Sequence, residues 1–458
     1  MFTSIYSPTS QLKVSRKISF VTMDPTSVEN LLLPILKYPL LGVQIIGYVP
    51  LTTVQKPVEI IFKIKSSPQL SKSLQFCWLG IPVLAQLFTL VAFSIFSYLF
   101  FTSDQQKGGF HVHQYSQLST DFIIVSSMTL ISLINAIGSR IHGFFTVRDT
   151  LEFWRMHCHE LAKISKIWTH PEFTDLLRKQ VQSQFFWTIF CVFFPIFTIP
   201  FFDLILFNAF GVSSFRVSGL RMVVEMDFSL FLGIIFWMYF TYLHILLSNW
   251  ITFFVMVYNL VLKCAIKEVE ALRMSDDLQD FVRLEKIDDV TRSYDVVLGL
   301  VDYFNEKLGV RLVCEVVNSI AWVLGCTYYA IISYKMGEIG SMLTNLLAGG
   351  MAIRSLYTYG DHGETLEQNR IILVKRLCDV KGTNLGPCGM EKLRFLKEKV
   401  INCKLGITPG KFFTLNRSFV LSVWSALFTL LVVMAQLRDS DEMGSANVGN
   451  SIVNATVR

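Results

Sequence analysis

Seven stretches of this 458-residue chain run for about 20 residues or more with almost no charge, and that property fixes the backbone before any side chain is considered. Hydrocarbon offers no water to backbone N–H and C=O groups, so a single segment crossing it must pair them internally as a helix. The stretches lie at 74–101, 121–145, 185–210, 227–262, 309–334, 337–356 and 412–437. The fourth is long enough to continue as a helix beyond the bilayer. An earlier apolar run at 31–46 is broken by Pro34, Lys37, Pro39 and Gly42 and reads as a short interfacial segment.

Composition agrees. Apolar residues make up 52% and charged ones 17%, with mean hydropathy +0.47, a balance suited to lipid as solvent. The net charge of +6 is modest, and no basic face interleaved with aromatics appears, which excludes nucleic acid as a partner. The first 20 residues lack the apolar core of a cleaved signal, so the first span is expected to serve as an uncleaved anchor. Nine cysteines without a CxxC read as reduced thiols.

Lysine and arginine set the direction of insertion. Thirty-one of the 41 lie in four blocks, 13–72, 148–179, 263–307 and 370–411, all on the side of the N-terminus. The other side holds six, Lys107, Arg216, Arg221, Lys335, Arg438 and Arg458. The expected fold is therefore an all-α membrane protein of seven transmembrane helices, N-terminus cytosolic and C-terminus extracellular. Its parts are a cytosolic segment with an interfacial helix (1–73), spans one to four (74–262), a cytosolic helical extension (263–308), spans five and six (309–358), a cytosolic helical segment (359–409), the last span (410–437) and an extracellular tail (438–458).

The inner stretches are themselves patterned. Leu278, Phe281, Leu284, Ile287, Val290, Tyr294, Val297, Val301, Phe304 and Leu308 recur at helical spacing, so spans four and five should extend into a packed cytosolic bundle. A second inner helix at 390–405 carries Leu393, Leu396, Val400 and Cys403, and Gly406, Pro409 and Gly410 end it. Such an architecture favours assembly of like chains around an axis.

The last span carries the most specific chemistry. Gln436 follows Thr429 by seven residues, which puts an amide and a hydroxyl on one face two turns apart, with Val432 and Val433 between them. A ring of such faces would line a pore with polar groups and an apolar constriction. The same groups could instead bond a neighbouring helix within one subunit, and spacing does not choose.

At this point the chain resembles the arthropod gustatory receptors, relatives of the insect odorant receptors. Gly410, Phe412, Leu415, Asn416, Arg417 and Ser418 are similar to that family's approach to its last span. Thr429 and Gln436 match its closing Thr-Tyr, five apolar residues, Gln-Phe. Leu430 and Leu437 replace the Tyr and Phe, which marks a divergent member. The resemblance implies a chemosensory, ligand-gated, non-selective cation channel of four like subunits in the plasma membrane of a sensory neuron. It also implies that Thr429, Val432, Val433 and Gln436 line the pore, and that a small tastant binds from outside. No wording of the sugar-receptor kind is present near spans five and six.

Asp203 inside the third span, with Trp237, Tyr239, Trp322, Tyr328 and Tyr329 in spans four and five, is the expected ligand-contact set. Belt or packing aromatics are the competing explanation for each ring. His157, Cys158 and His159 look like metal ligands, but neighbours on a helix point apart; His111 and His113 lack a companion cluster, so no metal is expected. No catalytic motif appears, so neither an enzyme nor a cofactor is expected. Asn454 heads an accessible glycosylation sequon; Asn416 heads one at the cytosolic edge. A G-protein-coupled receptor would need the opposite orientation, and a secondary transporter would show related halves, which are absent from the sequence.

Overall fold

The computed structural model describes residues 24–45, 147–168, 171–210, 246–274, 280–335, 339–380, 385–434 and 436, two strand pairs, and isolated helical positions between 127 and 138. The helices are α1 (Pro25–Ile45), α2 (Val147–Ala162), α3 (Ser165–Trp168), α4 (Pro171–Phe210), α5 (Leu246–Met274), α6 (Asp280–Lys335), α7 (Ile339–Asp379), α8 (Pro387–Asn402) and α9 (Arg417–Met434). Three of the described helices, α5, α6 and α9, are long and apolar enough to cross a membrane.

Two short hairpins accompany the helices. Strands β1 (Thr52–Gln55) and β2 (Ile60–Lys63) pair antiparallel, as do β3 (Ser214–Val217) and β4 (Leu220–Val223). Both hairpins lie outside the apolar stretches, where water removes the obligation to be helical. Ser218 and Gly219 between β3 and β4, and Pro57 between β1 and β2, are turn-forming residue types, but four-residue strands are too short to show a period of two.

The core forms around α5, α6 and α7, each of which packs against the other two. Val257, Tyr258, Val261 and Leu262 of α5 are buried with Val297, Leu300, Val301 and Phe304 of α6 and Leu366, Leu373 and Leu377 of α7. The amphipathic stripe of α6 thus finds its partners from Ile287 to Phe304, whereas Phe281 at its start is 57% exposed and Leu278 lies outside the described residues. The fifth apolar stretch and the stripe before it are one unbroken 56-residue helix.

Helix α7 runs straight on from the sixth apolar stretch to Asp379, where separate segments were expected. No proline interrupts it, and Gly360 and Gly363 do not break it because other backbone packs against them (below). The run at 31–46 belongs to α1, which begins at Pro25 behind an Asp24 cap whose Oδ1 accepts from Thr26 N at 3.3 Å. Pro34 and Pro39 are accommodated within it. Its Val28, Leu32, Ile35 and Leu36 repeat at helical spacing and are buried against α2, α4 and α5. Glu29 of α1 also accepts from Trp154 Nε1 of α2 at 3.2 Å.

Helix α8 starts three residues before the expected 390 and stops at Asn402. Pro387 supplies a preset first turn, and Gly389, Leu393, Leu396 and Val400 face inward. Cys403 is its extended C-cap and still packs, partly buried, against the core.

Candidate functional site

Between α8 and α9 the chain turns through 403–416, and side chains of α6 and α7 hold each part of it. Arg370 of α7 donates from NH1 to Val400 O at 2.7 Å and is braced by Glu367 at 2.6 Å, closing the carbonyl end of α8. Tyr294 of α6 donates to Cys403 O. Asn305 donates to Gly406 O and accepts from Thr408 N, both at 2.9 Å. The chain then reverses at Pro409–Lys411, where Gly410 has φ 54° and Lys411 φ 63°.

Three glycines make this docking possible. A Cβ on Gly309 of α6 would lie 2.8 Å from Gly410 N. One on Gly360 of α7 would lie 2.5 Å from Val420 Cγ2 and 3.1 Å from Asn416 O. One on Gly363 would lie 2.0 Å from Leu415 O. Backbone therefore rests on bare helix surface at all three points. Leu415 is buried, and Asn416 caps α9, its Oδ1 accepting from Phe419 N at 2.7 Å. Phe412, by contrast, is 78% exposed. Arg417 pairs with Asp361 of α7, Nε at 3.0 Å and NH2 at 2.6 Å from Oδ1. So among the motif residues Gly410, Leu415 and Asn416 seat the base of α9, Arg417 forms an exposed pair beside it, and Ser418 begins its exposed side.

Helix α9 leans on its own chain along a thin edge. Only 22% of its apolar window is buried, against 89% for α5. Val420, Leu427 and Met434, at seven-residue steps, form the packed edge. On the opposite side Ser418, Ser422, Ser425, Thr429 and Gln436 recur at steps of four, three, four and seven, all exposed. At 100° per residue they form one polar stripe, with Val432 and Val433, both 43% exposed, flanking it. Ser422 and Thr429 donate back to Ser418 O and Ser425 O at 2.9 and 3.1 Å, which leaves their oxygens free to accept from outside the helix. The spacing that singled out Thr429 and Gln436 extends to Ser418, Ser422 and Ser425, and that signal was present in the sequence.

The remaining candidates fare differently. Trp322, Tyr328 and Tyr329 are buried core residues of α6, and the rings of Tyr328 and Tyr329 meet edge-on at 5.3 Å. None of them lines the small cavity of about 10 Å³ between Thr252, Phe304, Leu312, Tyr359, His362 and Leu415, which has room for about one water. Asp203 occupies a helical position in α4. Trp237, Tyr239, His111, His113 and Asn454 lie outside the described residues.

His157 has its own partners. It is buried, with Nδ1 2.7 Å from Phe153 O and Nε2 2.5 Å from the Tyr258 hydroxyl. A backbone carbonyl can only accept, so Nδ1 carries the proton and Nε2 accepts from Tyr258. Burial pushes its pKa down to about 4. The unfolded chain takes up this proton below about pH 6.5 while the folded chain refuses it until about pH 4, so the stability it represents is complete above pH 6.5 and is lost as pH falls through that window. We expect purified protein to lose on the order of 3 kcal/mol of stability from this site between pH 7 and pH 4. Melting curves should therefore show His157→Gln losing stability less steeply than wild type across that range; equal slopes would remove His157 as the cause.

Polar side chains also link the helices. Buried Glu315 of α6, inside the fifth apolar stretch, accepts from Asn135 at 3.3 Å. Arg354 of α7 donates to Thr188 of α4 at 3.1 Å, and Gln184 of α4 donates to Thr252 of α5 at 2.8 Å. Sequence periodicity marks faces but does not say which polar residues meet.

No family model matches the sequence, and no curated protein matches it. The fold does have solved relatives. The insect olfactory receptor OR5 from Machilis hrabei superposes with TM-score 0.52 at 13% identity, covering 90% of this chain and all of that one. The same receptor in complex with eugenol gives TM-score 0.48 at 11% identity, with the same coverage. The chain thus shares the fold of an insect olfactory receptor.

Proposed function

We propose that this chain is a chemosensory receptor of the insect odorant and gustatory kind, of gustatory type, acting as a ligand-gated, non-selective cation channel of four subunits. The observation that carries this reading is the exposed polar stripe of α9, opposite its packed edge, on a chain with the fold of an insect olfactory receptor. A hydroxyl- and amide-bearing face exposed on its own subunit is explained when like faces meet around a water-filled axis. Thr429 and Gln436 would then line the pathway with Ser422 and Ser425, and Val432 and Val433 would narrow it.

Helix α8 supports assembly with like chains. Its outer face mixes Met390, Phe395 and Ile401, which are 44, 61 and 50% exposed, with an Arg394–Glu398 pair at 2.9 Å. Apolar side chains between opposite charges suit a self-complementary helix contact. The basic blocks orient the N-terminus and α8 to the cytosol and the C-terminus outward. A small tastant then binds each subunit from the extracellular side and favours the open arrangement by its differential affinity for it.

Purified protein in planar bilayers, with neither nucleotide nor G protein present, is expected to give unitary currents carried by Na⁺ and K⁺ alike. Uptake of a solute without unitary currents, or currents strictly dependent on a G protein, would overturn the reading.

A further inference from the structure

The base of α9 places a cation where a cation channel should not want one. Arg417 is the first residue of the helix that carries the polar stripe, its side chain is half exposed, and Ser418 beside it opens the stripe. The N-terminus of a helix already presents positive partial charge, so an arginine there does not serve the helix. Four such ends around an axis, each with an arginine, would make the inner mouth attract anions and repel cations.

Asp361 answers that charge. From its place on α7, its Oδ1 accepts from both Nε and NH2 of Arg417, at 3.0 and 2.6 Å, and its side chain keeps 32% of its surface open. Glu364, one turn further along α7, adds a second negative charge on the same side. The glycines at 360 and 363 bring α7 this close to the base of α9. A pair so exposed and so easily screened contributes little to folding, which leaves its location as the feature to be explained.

We propose that Asp361 is a charge-selectivity residue of the inner mouth: by gripping Arg417 it cancels the ring of arginines at the start of the polar stripe and keeps that mouth passable to cations. The inference rests on the channel reading above. It differs from a structural brace in what it predicts for the two partners. A brace fails alike when either side is removed, whereas cancellation gives opposite effects on permeation.

The test is reversal potential under a tenfold CsCl gradient, read from spontaneous openings of the purified full chain in planar bilayers, for wild type, Asp361→Asn, Arg417→Gln and the double variant. Freeing Arg417 in Asp361→Asn should raise the chloride-to-caesium permeability ratio by about threefold or more, Arg417→Gln should lower it, and the double variant should return toward wild type. Unchanged ratios in both single variants, or shifts of the same sign, overturn the inference while leaving the channel standing. A wild type without any unitary current overturns the channel reading and this one with it.

Discussion

Gly363→Ala is expected to leave little correctly folded protein, although alanine is ordinarily the better helix former. The added methyl would lie 2.0 Å from Leu415 O and 3.1 Å from Leu415 C, which are backbone atoms of the segment that delivers α9. No rotamer change relieves such a contact, so either α7 bends or the 403–416 segment leaves its seat. Lifting that segment also withdraws Leu415 from the core and strains the Asn305 and Tyr294 bonds next to it. Overpacking of a rigid site costs about 3 kcal/mol or more, a large share of a typical domain's stability. Gly350→Ala on the same helix is the matched control, since nothing lies within 4 Å of its added Cβ. It should be neutral or stabilise by up to about 1 kcal/mol. Monodispersity and thermal melting of both variants in detergent decide the matter. A Gly363→Ala protein that melts with wild type would mean that α7 and the α9 base are not seated as described.

That contrast shows where sequence reasoning reaches. Gly363 and Gly350 are both helix glycines in one 41-residue helix, and only the approach of a distant segment distinguishes them. The stripe from Ile287 to Phe304 was readable because one residue in three or four repeats whatever packs against it. The polar side of α9 was readable for the same reason, from the seven-residue step between Thr429 and Gln436. The short hairpins were not readable, since four residues cannot establish an alternation. Nor were the pairings Asn135–Glu315, Arg354–Thr188 and Asp361–Arg417, whose members are at least 56 residues apart. Aromatic content was ambiguous for a related reason: Trp322, Tyr328 and Tyr329 have the composition of a pocket lining and of a packed core alike, and what burial in α6 adds is that all three are shielded from solvent. Composition states what a residue is able to do, and only packing states whether a ligand has access to it.

Access is also what makes Gln436 the most consequential residue to change. It is exposed at the far end of the α9 stripe, two turns beyond Thr429 and clear of the packed edge formed by Val420, Leu427 and Met434. Substitution there leaves that packed edge in place, so folding should survive while permeation does not. If four stripes face one aqueous axis, Gln436→Lys adds a ring of four positive charges around the ions in transit. In an effective dielectric of about 20, one unit charge about 6 Å away repels a cation by roughly 3 kcal/mol, which alone is about a hundredfold in occupancy. Cation current through Gln436→Lys should therefore fall by at least about that factor, with the loss partly relieved in high salt as screening grows. Gln436→Glu provides the opposite sign at nearly the same volume and should raise cation conductance. Single-channel amplitudes in symmetrical CsCl, with yield and monodispersity measured in parallel, separate permeation from folding. Equal amplitudes in wild type, the lysine and the glutamate variants would move the pathway off this face, and the stripe would then be a helix-packing surface, the alternative that spacing by itself left open.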